Sequence, residues 1–384
     1  MKQRFKSLLA YTVFWLVFFF AARLFFVLTH FNESTASGLS LIAKSFIHGL
    51  QLDISAIGYI FLFPLLIMIV AIPFKGNWFS VFNKIYSWLI ISVSSIIIVS
   101  DTLLYKFWGF RMDYTPVLYL KTPKEALASV TTLQIAGVLI AIVLLSSIFI
   151  FLYNRFINKY FCDFQKVKMW PLAMLIFLVL WGSLIIPIRG GIGIAPINAG
   201  TVYFSQNTFA NHTAINVVWN VGSSVINNKP TKNPYIYSDQ EEANGIVESL
   251  VKNQGVPVKV LNNKRPDILI IVMESFGSSL VGPLGGDSLT TPNFNELIKE
   301  GILFTNFYAS GNRTDKAMPA IISGYPAQPA VSIMKEPKKT QSLPGIIKNM
   351  KGQGYKSSFW YGGEINFANF NSYIINSGFE EMVT

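Results

Sequence analysis

Cysteine is almost missing from this 384-residue chain, where Cys162 stands alone. That excludes an intrachain disulfide and any metal site built on a cluster of thiolates. Histidine is nearly as scarce, with His30, His48 and His212 and none after them. Charged residues make up only 13% of the chain, and acidic ones are outnumbered to give a net charge of +11. The basic residues fall largely in short loops beside apolar runs, not on one amphipathic face with interleaved aromatics. That pattern excludes nucleic acid as a partner.

Hydrophobic residues are what the chain does have, at 52% and a mean hydropathy of +0.44. Roughly the first 190 residues carry most of that excess, while the remainder has the composition of a water-facing α/β protein. Such a step marks a membrane domain joined to a soluble one. Five segments near 8–28, 54–72, 85–104, 133–153 and 170–188 are long enough to span a bilayer. Trp15, Trp78, Trp88, Trp108, Trp170, Tyr105 and Tyr153 mostly cluster near their ends, as interfacial aromatics do.

Lys2, Arg4, Lys6, Lys75, Lys84, Arg155, Lys159, Lys166 and Lys168 fall on one side of these spans. Lys44, Lys106, Arg111, Lys121 and Lys124 fall on the other. The bias places the N-terminus in the cytoplasm, and an odd number of spans sends everything after residue 188 to the outer face. Nothing resembling a cleavage site follows the first span, so it reads as an anchor in the cell membrane. Arg23 and Asp53 sit at awkward depths. Either Arg23 snorkels to the interface while Asp53 caps a helix, or the two line a polar site for a lipid headgroup. The segment 108–116, aromatic, basic and broken by Pro116, suits an interfacial helix that touches lipid or the soluble domain.

Residues 191–263 read as an outer linker with helices over 217–226 and 238–251, the second capped by Ser238. Asn32, Asn211 and Asn312 each open a glycosylation acceptor triplet, a weak pattern. From 264 onward the chain changes character again. Pro266-Asp267 leads into six apolar residues that end on Met273-Glu274-Ser275. This predicts a buried strand with Glu274 at its carboxyl end, where open α/β sheets place their chemistry. A helix over 293–300 and a second strand over 302–308 follow. Gly311-Asn312-Arg313-Thr314 then turns into a helix that begins near Thr314. Thr314 there is either a helix N-cap or a group facing an anion at the helix N-terminus.

The order of strand-Met-Glu-Ser, Thr-Pro-Asn-Phe, Gly-Asn-Arg-Thr, Ser-Gly-Tyr-Pro-Ala and Phe-Trp-Tyr-Gly-Gly-Glu resembles the sulfatase-like phosphoglycerol transferases. That group includes lipoteichoic acid synthase and belongs to the alkaline phosphatase superfamily. The resemblance implies a five-span helical bundle over 1–190, the linker over 191–263, and an incomplete α/β sulfatase-like domain over 264–384. It also implies that Glu274 binds a metal and that Thr314 is the nucleophile and a second metal ligand. Arg313, Tyr361 and Glu364, with Gly362, fall where the substrate is contacted. A cation held by oxygen ligands would be Mn²⁺ first and Mg²⁺ second. The implied reaction moves glycerol phosphate from a phosphatidylglycerol-type lipid to a glycan or lipid-linked acceptor outside the membrane. The family's further ligands, an Asp-His pair and a substrate-binding His, lie downstream of the last residue here. The chain therefore reads as the first part of such an enzyme, completed by a missing C-terminal part or by a second polypeptide. A phosphoethanolamine transferase is the enzyme alternative, and a non-catalytic membrane protein the alternative from another class.

Overall fold

The computed structural model describes residues 1–74, 78–116, 132–162, 164–165, 167–227, 236–252, 259–261, 263–328 and 331–384. Lys75, Lys121, Lys124 and Lys166, which entered the charge bias, lie outside the described residues, as does much of the polar stretch 253–262. By its contacts the chain divides into two compact units, one formed by Met1–Lys229 with Ile333–Thr384 and the other by Pro230–Ser332. The sequence division at 190 and 263 is one of composition.

Among the described residues of the first unit, five helical runs are long and apolar enough to cross a membrane. They are Lys2–Thr29, Leu39–Val70, Trp78–Trp108, Thr132–Leu152, and Trp170–Ser183 continued by Ile185–Arg189. Several extend well past the apolar stretches that predicted them. Hydropathy sees only the oily middle, and the polar turns at each end continue the same helix. At 1.5 Å per residue Leu39–Val70 is about 48 Å long, more than the ~30 Å of a bilayer core. On Lys2–Thr29 the exposed positions Leu9, Val13, Val17, Phe20, Leu24 and Leu28 repeat every three or four residues, an apolar stripe that stays largely uncovered although Phe20 tilts against Phe46. Tyr11, Phe14, Trp15, Phe18 and Phe19 form the opposite, buried face. Trp15 and Tyr153 are thus core residues and not interfacial ones. Tyr153 accepts a hydrogen bond from Asn83 Nδ2 at 2.8 Å, and Tyr11 and Ser87 are joined at 2.9 Å. Such polar contacts between helices fix their register where apolar packing alone would let them slide.

Arg23 neither snorkels nor is Asp53 a cap. Asp53 lies well inside its helix, and Arg23 meets it through two parallel bonds, Nη1 to Oδ2 and Nη2 to Oδ1, both 2.9 Å. Both side chains are almost fully buried. Arg23 also donates to the carbonyls of Thr213 and Ala214, at 3.0 and 3.3 Å. It fits because residue 49 is glycine. A Cβ there would run into the guanidinium and stand 2.7 Å from the Ala214 oxygen. A second buried pair joins Arg111 Nε to Asp101 Oδ2 at 3.0 Å, and Arg111 Nη1 donates to the His212 carbonyl at 3.1 Å. The two arginines thus cover the last carbonyls of the helix Thr208–Ala214, where Arg111 shares the His212 carbonyl with the Ile215 amide. Asp53, Asp101 and both arginines line a cavity of about 10 Å³. That is room for about one water, not for a lipid headgroup.

Asn211 is buried, and its Oδ1 accepts from the amides of Phe204 and Ser205. That acceptor triplet is structural. The segment 108–116 is not the expected interfacial helix over its described length, since residues 109–114 are irregular. Residues 333–384 contribute the only sheet among the described residues, two parallel strands Ser358–Trp360 and Glu381–Val383.

In the second unit the helix Gln240–Val251 is capped by Asp239, not Ser238, through a 2.9 Å bond from the Glu242 amide. The predicted strands at 266–273 and 302–308 do not form. Neither joins a ladder, and Leu269, Ile271, Phe304 and Phe307 are exposed. A turn at Thr305-Asn306 breaks the second run, as residues of that type favour. A strand exists only when a neighbour accepts its backbone bonds, and composition cannot supply that neighbour. The helix expected over 293–300 is the shorter Pro292–Ile298.

Candidate active site

The helix Thr314–Ser323 organises the site. Its residues Asp315, Met318, Pro319 and Ile322 follow the spacing of one helical face and are buried. Pro319 lacks the N–H that would bond the Asp315 carbonyl four residues back. Ser332 Oγ takes up that carbonyl instead, at 2.6 Å. Gly324 ends the helix at a φ of 62°, the left-handed conformation that favours glycine.

Arg313, not Thr314, is the N-cap, with extended backbone at φ −142° and ψ 149°. Its carbonyl accepts from the amides of Lys316 and Ala317, and its side chain is exposed. Thr314 is therefore the first helical residue, and its hydroxyl is spent on no capping bond. Thr314 Oγ1 instead donates to Glu274 Oε1 at 3.0 Å. The residues that bracket forty positions of chain are thereby brought together. Glu274 is exposed and Thr314 half-buried, so the pair is open to a ligand.

Glu274 sits in a turn whose next residue, Ser275, has a φ of 58°. A positive φ is uncommon for a residue with a side chain and tends to cluster where geometry is functionally constrained. Sequence reasoning placed Ser275 beside Glu274, where a metal ligand or catalytic group would be expected, but passed over its positive φ, which no local composition signal marks. It also passed over Asp101, for which a signal existed, an acid inside a predicted span.

Tyr361 and Glu364 belong to the other unit and are described there. Tyr361 donates its amide to the Val383 carbonyl at 2.9 Å and stacks on Phe370, with centroids 5.0 Å apart and 10° between planes. Glu364 Oε1 accepts from the Asn366 amide and side chain at 3.4 and 3.3 Å. The neighbouring Ala368 and Asn369 both have positive φ, 50° and 65°.

Chemically, a carboxylate that holds a hydroxyl by its proton can orient that hydroxyl and withdraw the proton. Both oxygens are hard donors. Adjacent oxygen ligands of an octahedral cation with bonds of about 2.1 Å lie about 3 Å apart, the separation that Glu274 and Thr314 show. The pair therefore fits a hard divalent cation as two of its donors. No group of three or more His, Cys, Asp or Glu residues that could hold a metal occurs among the described residues.

Residues 266–384 match the family model described as Sulfatase. A 59-residue segment is 34% identical to human N-acetylgalactosamine-6-sulfatase, covering 15% of this chain and 11% of that protein. No solved structure matches the chain. The C-terminal region thus carries a sulfatase-family domain, and the enzymes of that family use divalent metals.

Proposed function

We propose that this chain belongs to a membrane-anchored transferase. It would move a glycerol phosphate from a phosphatidylglycerol-type lipid to a glycan or lipid-linked acceptor on the outer side of the cell membrane. The observation that carries the proposal is the Thr314–Glu274 hydrogen bond at the first residue of a helix. The sulfatase-family match over 266–384 supports the chemical class, substitution at a tetrahedral, anionic centre. A threonine favours phosphoryl over sulfuryl transfer, because sulfatases use a modified Cys or Ser where Thr314 stands.

In this reading Thr314 Oγ1 attacks the lipid phosphorus. A Thr314–phosphate ester forms, the bond to the diacylglycerol oxygen breaks, and Glu274 draws off the hydroxyl proton along the bond it already accepts. The leaving oxygen takes up a proton from water and departs as diacylglycerol. The acceptor hydroxyl then displaces Thr314 and restores it. The resemblance in motif order implies that Arg313 pairs with phosphate oxygens and that Tyr361 and Glu364 contact the glycerol. Glu274 and Thr314 would hold Mn²⁺ or Mg²⁺, which lowers the hydroxyl's pKa and neutralises phosphoryl oxygens. Two donors fall short of the six such ions take. Waters and the phosphate oxygens of the lipid would supply others. The five apolar helices support insertion in the membrane, and the bias of basic residues supports a cytoplasmic N-terminus with the sulfatase-like region outside.

Vesicles containing the protein and phosphatidylglycerol labelled in its terminal glycerol test the reading. Label should pass to the acceptor fraction with wild type and not with Thr314→Ala or Glu274→Gln. Transfer that survives Thr314→Ala would overturn the assignment. Release of sulfate from aryl sulfates, with lipid untouched, would favour a sulfatase instead.

A further inference from the structure

The apolar end of Trp78–Trp108 leads into a cluster whose chemistry the proposed reaction does not use. Trp108 and Phe110 stack, with centroids 5.4 Å apart and 22° between planes. The Lys338 ammonium lies 3.4 Å from the Phe110 centroid and 5.9 Å from that of Trp108. Its Nζ is also 3.7 Å from Asp113 Oδ2. Two ring faces and a carboxylate around one cation make a receptacle that favours an ammonium or guanidinium over any neutral group. Lys338 and Asp113 remain about a third exposed, so the cluster is not a piece of core that must be filled to fold.

Lys338 is mechanically connected to the segment that carries Tyr361 and Glu364. It lies in the helix Pro337–Thr340. Asn376 Nδ2 bonds that helix at the Pro337 carbonyl and the Thr340 hydroxyl, at 3.2 and 3.0 Å. Asn376 belongs to the helix Phe370–Ser377, whose Phe370 stacks on Tyr361. The far side of that helix is held by Asn371, which donates to the Gly200 and Tyr203 carbonyls at 3.1 and 2.9 Å. One helix beneath Tyr361 is thus gripped from two directions, by the chain after the fifth long helix and by the Lys338 cluster.

We infer that Lys338 is a positioning residue, a cationic pin seated in Trp108, Phe110 and Asp113 that fixes the Tyr361–Glu364 segment to the end of a membrane span. The inference rests on the membrane reading above and deepens it. A segment that must meet a lipid headgroup has to be held at bilayer height, and a pin on the span itself sets that height. Asp113 supplies the charge match, while the rings supply attraction that salt screens less than an ion pair.

The test is hydrogen exchange on the full chain in nanodiscs of phosphatidylglycerol and phosphatidylcholine. Lys338→Gln and Phe110→Leu should each speed exchange across 358–366 and 370–377 by about two- to five-fold, the range a half-exposed cation–ring contact supports. Exchange across 314–323 serves as the internal reference. Lys338→Arg should restore the wild-type rates, because a guanidinium also fits the rings, whereas a merely space-filling role would let Gln serve as well. Unchanged exchange in Lys338→Gln, or Arg behaving like Gln, would overturn the pin. Lipid transfer is measured on the same samples. If exchange responds as expected while wild type moves no glycerol phosphate, the proposed function fails and the pin stands.

Discussion

Arg23 and Asp53 show what a single buried charge demands. An ion removed from water costs several kcal/mol unless a partner and further hydrogen bonds offset it, and removing one partner of such a pair typically costs about 3–5 kcal/mol. Arg23→Met should therefore lower the thermal midpoint of the detergent-purified protein sharply, and Arg23→Met with Asp53→Leu should recover most of the loss. An unchanged midpoint in Arg23→Met would mean that the paired geometry is not what holds the helix Thr208–Ala214 in place. His212 behaves oppositely, being buried to be kept neutral. Burial, with the nearby Arg111 charge adding to it, pushes its imidazole down to about 3 from the ordinary value of 6.5. Tyr105 shares a 2.9 Å hydrogen bond with its Nδ1. The folded state thus binds fewer protons than the unfolded one. The contribution is fully present above about pH 6.5 and is lost as pH falls toward 3, reaching about 2 kcal/mol by pH 5. The thermal midpoint should fall between pH 6.5 and 5 in wild type, and that slope should flatten in His212→Gln. Equal slopes in the two proteins would sink the assignment.

At the scale of elements, the helix Thr314–Ser323 carries a prediction of its own. Ser332→Ala removes the bond to the buried Asp315 carbonyl and should cost about 0.5–1.5 kcal/mol. Adding Pro319→Ala returns a backbone N–H and should recover part of that loss. Equal costs with and without the proline would show that Ser332 is not substituting for the missing bond. The same helix marks how far the sequence could be read. Its start, expected near Thr314 after the polar turn 311–314, was legible within a residue because that turn is a local signal. So were the five long helices, because an apolar run of sufficient length needs no partner to be recognised. The strands at 266–273 and 302–308 were misread, since an apolar run becomes a strand only through a pairing that composition does not encode. The Arg23–Asp53 and Arg111–Asp101 pairs were equally hidden, each joining residues on separate helices or loops. Glu274 and Thr314 were named from the resemblance in motif order, and the 3.0 Å bond between them is what the structure adds.

For the whole molecule, membrane topology and chemistry have to agree. A reporter fused after Ser238 should be active only outside the cytoplasmic membrane, and one placed at Lys159 only inside. Cytoplasmic activity of the Ser238 fusion would separate the site from an outer-face lipid. The most direct measurement is mass spectrometry of the protein quenched with acid during turnover in phosphatidylglycerol membranes. The peptide containing residues 311–316 should carry a glycerol-phosphate adduct in wild type and none in Thr314→Ala. An adduct on another residue, or turnover with no adduct on this peptide, would contradict Thr314 as the nucleophile.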